Sequence, residues 1–445
     1  MAARLKFLGR VCGIGLGAFL SVKTAQKATK YHHNVIFARE EDKEYQLVHV
    51  QVAFRHGART PIFSLPEMQN ASVGDVVWDK DKMLGDLPET LIKYRVKDLD
   101  GGRQPVSEYD TRQKKVIWPG GSEAGQLTKL GQQQMYDLGK DLHRRYIKEV
   151  ELLHPQLVPQ EIYVRTSNMQ RTIDSARCVI AGLYGQQNVK GVVTMVTCPE
   201  KDESIYPNSH YCMAIKKWAH SALNTAFLMS NINGYKKDYE EFKEAAGIKD
   251  KHVFVFFRDF IAAQEAHGMP VSPIFLKYRE MIERNATHEL VSVQCGYPHG
   301  RHEILRLGVG QALENILERM KDKITEKSPS YHRLCLYSVH DTTIVCMLVC
   351  LGLYNNGWPD FSADLAFELY KKSTEDDDND DNNDDDGFCD DGAEDGQYFV
   401  KILLQGKEQI LPGATSALYP FEKFRKLITS YSVEDWHQEC NQQHH

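Results

Sequence analysis

Three short apolar stretches of the chain each end in a run of polar residues. Interior strands are predicted at three places, residues 46–54, 161–164 and 334–339. The polar runs that follow them are RHGARTP at 55–61, RTSNMQR at 165–171 and HDTT at 340–343. Because ligands bind beyond the carboxyl ends of the strands in open α/β sheets, we expect the three runs to share one site.

A long amphipathic helix is predicted between the first two strands, over residues 127–150. Its apolar positions recur at helical spacing, at Leu130, Met135, Leu138, Leu142 and Tyr146. A helix with one such apolar face is expected to pack on the sheet.

Two further helices are predicted to begin directly after the second and third strands. Ser167 and Gln170 have the spacing of a capping box at the start of the first of them. Arg171 falls in its first turn, where a basic residue opposes the helix dipole, so an anion partner is expected for it. The other helix ends near Gly352, and Asp341 is predicted to be its N-cap.

This alternation predicts an α/β fold with a mixed, mainly parallel sheet flanked by helices. Residues 206–300 are helical in pattern without convincing strands, which predicts a smaller helical cap domain inserted into that core. The core is then expected to occupy residues 45–205 and 301–435. Near its end, two predicted strands flank an acidic run at residues 373–397, which we interpret as a disordered hairpin insertion.

Charge is concentrated at two places in the chain. Residues 1–39 hold seven Lys or Arg and no acid, whereas residues 375–396 hold thirteen acids and no base. The net charge of −7 over 445 residues therefore describes these segments, and the rest of the chain is nearly neutral. Such a body does not favour nucleic acid as a partner, so any anion site must be local.

Residues 1–39 have the composition of a targeting leader. Their apolar stretch, residues 11–22, is too short to span a bilayer, and basic residues continue past it. This pattern favours a mitochondrial transit peptide over a secretory signal. The opposing observation is two glycosylation sequons, at Asn70 and Asn285, which matter only in a secreted chain. We therefore predict a mitochondrial protein without a transmembrane span, with secretion or lysosomal residence as the alternative.

No metal or other cofactor is predicted. None of the ten cysteines has zinc-ligand spacing, and they do not indicate a disulfide scaffold in so long a chain. Cys346 and Cys350 lie in an apolar run, where small buried thiols are expected. The acidic run departs from a calcium-binding loop at its first and last ligand positions, which are Asn382 and Ala393.

The three polar runs contain the groups that cleave a phosphate monoester without a metal. That reaction needs an in-line nucleophile, fixed cations around the phosphate oxygens and an acid for the leaving oxygen. An unprotonated His56 can attack phosphorus, and the planar guanidinium groups of Arg55 and Arg59 suit phosphate oxygens. Arg171 adds a third guanidinium from the second strand–helix junction.

His340 and Asp341 complete this candidate site. His340 can donate a hydrogen bond to the phosphate, and Asp341 remains as the proton source. Each residue taken singly has an ordinary alternative, such as a turn after a strand, a solvated arginine or an aspartate that only caps a helix. The arrangement of all of them at three strand ends favours one active site.

Two motifs show a resemblance to a known family. Residues 55–61 match the RHGxRxP signature of the histidine acid phosphatases, and residues 340–341 match that family's HD motif. The similarity runs from about residue 46 to residue 431, leaving out the leader and the acidic run. It implies that His56 is the nucleophile and Asp341 the proton donor. It also implies that the phosphate is held by Arg55, Arg59, Arg171 and His340.

Shorter motifs make the chain similar to those members of the family that hydrolyse lysophosphatidic acid to monoacylglycerol and phosphate. These motifs are GG at 101–102, AGQLTK at 124–129, WP at 358–359 and GKEQ at 406–409. The resemblance implies mitochondrial residence and a lysophospholipid substrate. We also expect a monomer that contacts a membrane at most peripherally. The alternatives are a phytase-like or other inositol-polyphosphate phosphatase, a broad-specificity acid phosphatase, a mutase of the same superfamily, and a phosphoester-binding protein without turnover.

Overall fold

The protein is described from a computed structural model, over residues 44–63, 76–249, 252–297, 301–325, 332–373 and 397–441. The predicted leader and almost all of the predicted acidic insertion lie outside the described residues. Within those ranges, no helix is long and apolar enough to cross a membrane.

The strands of the described chain form one mixed sheet. They are β1 (Tyr45–Arg55), β2 (Tyr94–Asp98), β3 (Ile162–Thr166), β4 (Val193–Thr197), β5 (Leu334–Val339), β6 (Asp364–Lys372), β7 (Tyr398–Leu404), β8 (Lys407–Gln409) and β9 (Tyr419–Pro420). Their order is β2-β4-β3-β5-β1-β6-β7-β8, with β9 paired to β7. β1 to β5 run parallel to one another, whereas β6 is antiparallel to β1 and to β7.

Helices cover both faces of this sheet. In the described residues they are α1 (Lys80–Met83), α2 (Glu108–Gln113), α3 (Lys129–His143), α4 (Gln170–Tyr184), α5 (Met213–Ala222), α6 (Thr225–Asn231), α7 (Tyr235–Ala245), α8 (Phe254–Ala266), α9 (Pro273–Lys277), α10 (Arg279–Cys295), α11 (Arg301–Leu305), α12 (Gln311–Thr325), α13 (Asp341–Cys350), α14 (Phe421–Thr429) and α15 (Trp436–Asn441). The predicted α/β fold, with a mixed sheet between helices, is confirmed.

The alternation of side chains along β1 explains how the sheet is buried on both faces. Val50, Val52 and Phe54 point to one side, where they share an apolar cluster with residues of α3 and α4. Ala53 points to the other side, into a cluster with residues of α12 and α13. Because successive side chains of a strand alternate between faces, a continuously apolar strand is buried on both.

The three strands with polar runs are neighbours in the sheet. β3 and β1 flank β5, and all three are parallel. The register places Thr166 beside Ser338 and Arg55 beside Val339, so the three strands end at the same edge. The polar residues that follow them therefore meet at the carboxyl edge of the sheet.

Residues 213–295 contain helices α5 to α10 and, in their described part, no strand. The aromatic side chains of α7 and α8 form an apolar cluster that also includes Trp78 and Trp118. Within the helical pattern of residues 206–300, the stretch 274–284 predicts one continuous helix, and this prediction is wrong in its extent. The chain forms α9 and α10 instead, because the backbone of Tyr278, with φ −103° and ψ 13°, breaks the regular helix between them. The cap-domain boundaries at residues 206 and 300 stay a prediction.

The helix predicted over residues 127–150 changes character before its end. α3 ends at His143, and a π-helical turn, Arg144–Glu149, follows it directly. There Arg145 donates two hydrogen bonds, of 2.8 and 3.0 Å, to the fully buried carboxylate of Glu368 on β6. Such a buried charge needs partners of this kind, and one of them comes from the π-helical turn.

A disulfide joins Cys212, directly before α5, to Cys440 in α15. Nothing in the cysteine spacing predicted this pairing. Cys346 and Cys350 are buried free thiols, which confirms the prediction made from their apolar surroundings.

Candidate active site

His56 follows the last residue of β1 and is only 2% exposed. Its backbone N–H still donates to Val339 on the neighbouring strand, at 3.2 Å. The ring atom Nδ1 of His56 lies 2.9 Å from the carbonyl oxygen of the next residue, Gly57. Because a carbonyl oxygen can only accept, Nδ1 carries the proton and Nε2 keeps a lone pair. The geometry therefore leaves Nε2 as the nucleophilic atom.

Two glycines allow the loop after β1 to lie against the start of α3. A Cβ atom on Gly57 would lie 2.2 Å from the carbonyl oxygen of Gly131, and one on Gly131 would lie 2.1 Å from that of Ala58. The backbones are therefore closer than any side chain permits. The glycine of the RHG motif is required by this contact with α3.

The rest of the loop is held by the segment before α3. Thr60 donates its backbone N–H to Gln126 at 3.0 Å, and Thr128 donates to Ala58 at 3.1 Å. Arg59 and Leu127 form an isolated antiparallel bridge. These bonds fix the direction in which the Arg59 side chain leaves the backbone.

Three arginines surround His56 and are almost fully buried. Arg55, Arg59 and Arg171 are 2%, 4% and 5% exposed, and in the described part of the chain the Nε atom of each has no hydrogen-bond partner. Burial lowers the pKa of Arg55, and likewise that of Arg171, to about 10, so both remain charged near neutral pH. A buried set of cations with unused donors is a site for an anion.

Each arginine is also anchored through its Nη atoms, and in Arg55 and Arg59 the second Nη donates to a backbone carbonyl, that of Pro359 at 2.6 Å and that of Thr60 at 3.2 Å, respectively. Arg55 pairs with Asp341 at 2.8 Å, and Arg59 pairs with Asp259 at 2.8 Å. Arg171 donates to the amide oxygen of Gln113 at 3.0 Å. The guanidinium planes are therefore oriented before any ligand arrives.

His340 lies beside His56, with the two ring centroids 5.6 Å apart in an edge-on arrangement. Its Nε2 is 2.9 Å from the hydroxyl of Ser167, and its ring contacts that of Tyr206. Burial, followed by the charge of Arg171, holds the pKa of His340 well below its usual 6.5, and the same two causes do so for His56. Both imidazoles are therefore neutral over a wide acidic range.

Asp341 is the first residue of α13 and not its N-cap, so that prediction is wrong by one position. The cap position is taken by His340, whose extended backbone is needed to carry β5 into the site. The carboxylate of Asp341 accepts from the indole Nε1 of Trp358 at 2.9 Å as well as from Arg55. Burial by itself would raise the pKa of Asp341, but Arg55 and Trp358 together hold it below its usual value.

The predicted capping box at the start of α4 is also wrong. α4 begins at Gln170 with Met169 as a cap that makes no side-chain bond. The hydroxyl of Ser167 is instead bonded to Thr172 and His340, because it faces the site. The backbone N–H of Gln170 is satisfied by the carboxylate of Asp110, at 2.8 Å.

The structure thus brings all six predicted residues together, and it adds three that the sequence did not single out. Gln113, Trp358 and Asp259 contact Arg171, Asp341 and Arg59, respectively. Trp358 belongs to a motif that carried the resemblance, but no pattern linked it to Asp341. The described residues contain no group of three or more His, Cys, Asp or Glu side chains that could hold a metal ion.

A cavity of about 470 Å³ lies beside Arg171 and Gln113. Its charged lining consists of Asp86, Asp110, Glu123, Asp174, Lys114 and Arg171. Four carboxylates and two cations line the wall, but Asp86 pairs with Arg177 at 2.7 Å and burial raises the pKa of Asp174 to about 6. The wall is therefore weakly acidic, in contrast to the arginine cluster around His56.

Comparisons with known proteins agree with this geometry. The sequence profile of the histidine phosphatase superfamily (branch 2) matches residues 46–405. Lysophosphatidic acid phosphatase type 6 of Bos taurus is 32% identical over 404 residues, which cover 89% of this chain and 86% of that protein. Prostatic acid phosphatase of Homo sapiens is 25% identical over 359 residues, which cover 76% of this chain and 85% of that protein.

The fold is shared with solved phytases. The apo form of Hafnia alvei phytase has a TM-score of 0.56 at 12% identity, covering 90% of this chain and 99% of that one. At such low identity the likeness concerns the fold alone. The profile match, which covers most of the chain, and the phosphatase relatives identify the chain as a member of the histidine phosphatase superfamily (branch 2) and as a phosphomonoester hydrolase of the histidine acid phosphatase family.

Proposed function

We propose that this hydrolase forms a phosphohistidine on His56 and that its substrate is lysophosphatidic acid, which it converts to monoacylglycerol and phosphate. The observation that carries the mechanism is the Nδ1 contact of His56 with the Gly57 carbonyl, at 2.9 Å. It leaves Nε2 unprotonated in the middle of three buried guanidinium groups. A neutral nucleophile within a cationic cage suits attack on a phosphate.

The remaining groups divide the reaction between them. Arg55, Arg59, Arg171 and His340 bind the nonbridging oxygens. The Nε2–phosphorus bond forms as the phosphorus–oxygen bond to the alcohol breaks, and Asp341 gives that oxygen its proton. In the second step the Asp341 carboxylate takes a proton from water, whose oxygen attacks phosphorus and releases His56.

The ionisation of Asp341 is coupled to substrate in this scheme. In the empty site Arg55 and Trp358 keep the pKa of Asp341 low despite its burial, so it is ionised. A phosphate dianion offsets the guanidinium charge and adds a negative charge nearby, and both effects raise that pKa. Asp341 can then take up a proton from solvent and pass it to the leaving alcohol.

This arrangement predicts that His56 stays reactive in acid. A free imidazole would lose its lone pair below pH 6.5, whereas burial and the charge of Arg171 hold the pKa of His56 well below that value. We expect kcat/KM for p-nitrophenyl phosphate, corrected for ionisation of the substrate, to remain level from pH 7.5 to pH 5. A fall with an apparent pKa near 6.5 would show that His56 titrates normally and would contradict the proposed role.

The choice of lysophosphatidic acid rests on relatives and on charge. Lysophosphatidic acid phosphatase type 6 of Homo sapiens is 32% identical over 88% of this chain. The acidic wall beside Arg171 is unfavourable for substrates that carry several phosphates, because each further phosphate would face carboxylates there. A single phosphate on a lipid avoids that repulsion. A broad-specificity phosphatase would fit the same wall.

Turnover of two substrates separates these possibilities. We expect kcat/KM for 1-oleoyl-lysophosphatidate to exceed that for inositol hexakisphosphate by about 10²-fold or more, since like-charge contacts cost several kcal/mol. The measurement is phosphate release, with p-nitrophenyl phosphate as a control for active enzyme. Glu123→Gln, which removes one charge from the wall, should narrow the ratio. Preferential cleavage of inositol hexakisphosphate would refute the lipid assignment.

We further propose mitochondrial residence and a monomeric state, with only peripheral contact to a membrane. The basic, acid-free leader supports the location. One sequon that favoured secretion is weakened, because Asn285 is 1% exposed and donates to Asp238 and Met281 within the fold. The Cys212–Cys440 disulfide supports an oxidising compartment, so secretion remains the alternative.

A further inference from the structure

Two adjacent residues of the cap helix α8 reach the site from the side opposite the sheet. The carboxylate of Asp259 accepts from Nη2 of Arg59 at 2.8 Å and, through its other oxygen, from the backbone N–H of Ile62 at 2.8 Å. It therefore holds the Arg59 side chain and the loop that carries it. Its own side chain is 11% exposed, so little water competes for these bonds.

Arg258 acts on a different part of the site. Its guanidinium lies 4.2 Å from the centre of the Trp358 ring, and its Nε is 3.1 Å from the carboxylate of Glu283 on α10. The indole Nε1 of Trp358 in turn donates to Asp341 at 2.9 Å. The cation over the ring thus fixes the plane of the indole and with it the direction of the bond to Asp341.

α8 is a firm support for both residues. Its first two backbone N–H groups, those of Phe254 and Val255, donate to the buried carboxylate of Glu289 at 2.8 and 2.7 Å. Phe257 and Phe260, on either side of the pair, are each 2% exposed in the aromatic cluster of the cap. Rotation of the helix would break this packing, so Arg258 and Asp259 are held in fixed positions.

We propose that Arg258 and Asp259 are positioning residues for two separate steps of the reaction. Asp259 orients Arg59 for phosphate binding, and Arg258 acts through Trp358 to orient Asp341 for proton transfer. The inference rests on the proposed function of the same site. It makes α8 a part of the active-site support. Asp259 acts on the phosphate side of the bond that is cleaved, and Arg258 acts on the side of the leaving oxygen.

The sign of the Asp259 effect makes the inference testable. As a negative charge near the site, Asp259 by itself repels phosphate, so a purely electrostatic role predicts tighter phosphate binding when it is neutralised. A positioning role predicts weaker binding, because Arg59 and the loop lose their anchor. Asparagine cannot replace both bonds, since its Nδ2 cannot accept from the N–H of Ile62.

The first experiment measures competitive inhibition by inorganic phosphate in Asp259→Asn. We expect the inhibition constant to rise by about tenfold, and kcat/KM to fall by a similar factor for p-nitrophenyl phosphate and for glycerol 2-phosphate. Equal losses follow because both substrates carry the same phosphate. An unchanged or lower inhibition constant would overturn the assignment of Asp259.

The second experiment compares the same two substrates in Arg258→Gln. We expect kcat/KM, which reports only the steps up to departure of the alcohol, to fall by about tenfold more for glycerol 2-phosphate than for p-nitrophenyl phosphate, because only the alkoxide needs a proton. The inhibition constant for phosphate should rise by less than in Asp259→Asn, because Arg59 keeps its anchor and only one cation, whose charge acts on the site at a distance, is lost. Equal losses on both substrates would overturn the assignment of Arg258. Arg258→Lys, which keeps a cation at this position, should restore part of the difference.

Asp238→Asn is the matched control for Asp259→Asn. Asp238 is another acidic residue of the cap, and it pairs with Arg284 at 2.7 Å, but no contact joins it to the arginine cluster in the described residues. We expect its inhibition constant and substrate ratio to equal those of the wild type, with thermal unfolding measured for every variant. Wild-type protein that released no phosphate would refute the proposed function. If the wild type were active and the Asp259 and Arg258 variants behaved like the Asp238→Asn control, only this inference would be refuted.

Discussion

Replacing His56 with alanine is expected to abolish turnover, with a loss of about 10⁴-fold or more, as for other catalytic nucleophiles. The reason is that the other neutral imidazole beside the arginines, that of His340, has its Nε2 engaged with the hydroxyl of Ser167 and cannot take the place of the missing nucleophile. The measurement is phosphate release together with trapping of the labelled phosphoenzyme by an alkaline quench. Wild-type protein should retain label that is stable in alkali and lost in acid, and His56→Ala should retain none.

The control for this variant is His154→Ala. His154 is an exposed histidine in the loop before β3. Among the described residues, its hydrogen bonds reach only that loop and the residue at the loop's end. Its replacement should change neither turnover nor trapping. Labelling of His56→Ala at the wild-type level would mean that another residue accepts the phosphoryl group.

The second large effect is expected for Asp341→Asn. Asparagine cannot supply a proton, so esters with alkoxide leaving groups should be cleaved about 10² to 10⁴-fold more slowly. p-Nitrophenyl phosphate, whose leaving group is stable as an anion, should lose far less. The measurement is kcat/KM for lysophosphatidate or glycerol 2-phosphate against kcat/KM for the aryl ester, because kcat also contains the water attack that Asp341 assists for every substrate.

Asp435→Asn is the matched control for a structural role. Asp435 precedes α15 and accepts from the backbone N–H of Gln438 at 2.9 Å. Like Asp341, it lies at the start of a helix, but it is outside the site. Its replacement should leave the ratio between alkyl and aryl substrates unchanged. If Asp341→Asn slowed both classes of ester equally, Asp341 would be a structural residue and the proton would have another source.

The predictable parts of the site are those that depend on a short stretch of sequence alone. β1 and β5 are mostly apolar strands that end in polar residues, and a strand end is a local property. Parallel strands end at one edge, so His56 and Asp341 could be expected to meet without knowledge of the packing. Gly57 was expected only as a turn, and its contact with Gly131 emerged from the structure.

The error in the predicted capping box comes from contacts between distant segments. The spacing of Ser167 and Gln170 indicated a cap, but the hydroxyl of Ser167 is bonded to His340, 173 residues away. The N-terminus of α4 is served by Asp110 on α2 instead. A capping rule considers only hydrogen-bond partners that are close in sequence. In the folded chain, a buried hydroxyl can bond to any group that packs against it.

The sequence alone determined the reaction class, because the residues proposed as nucleophile and proton donor, and the arginines with them, lie at the ends of strands whose pattern is local. The tertiary structure decided which hydrogen-bonding groups orient them. Asp259 holds Arg59 across 200 positions, and Gln113 holds Arg171 across 58. Such pairs have no periodic signature, since they depend on how one helix packs against another layer, and that packing is fixed only when the whole chain has folded.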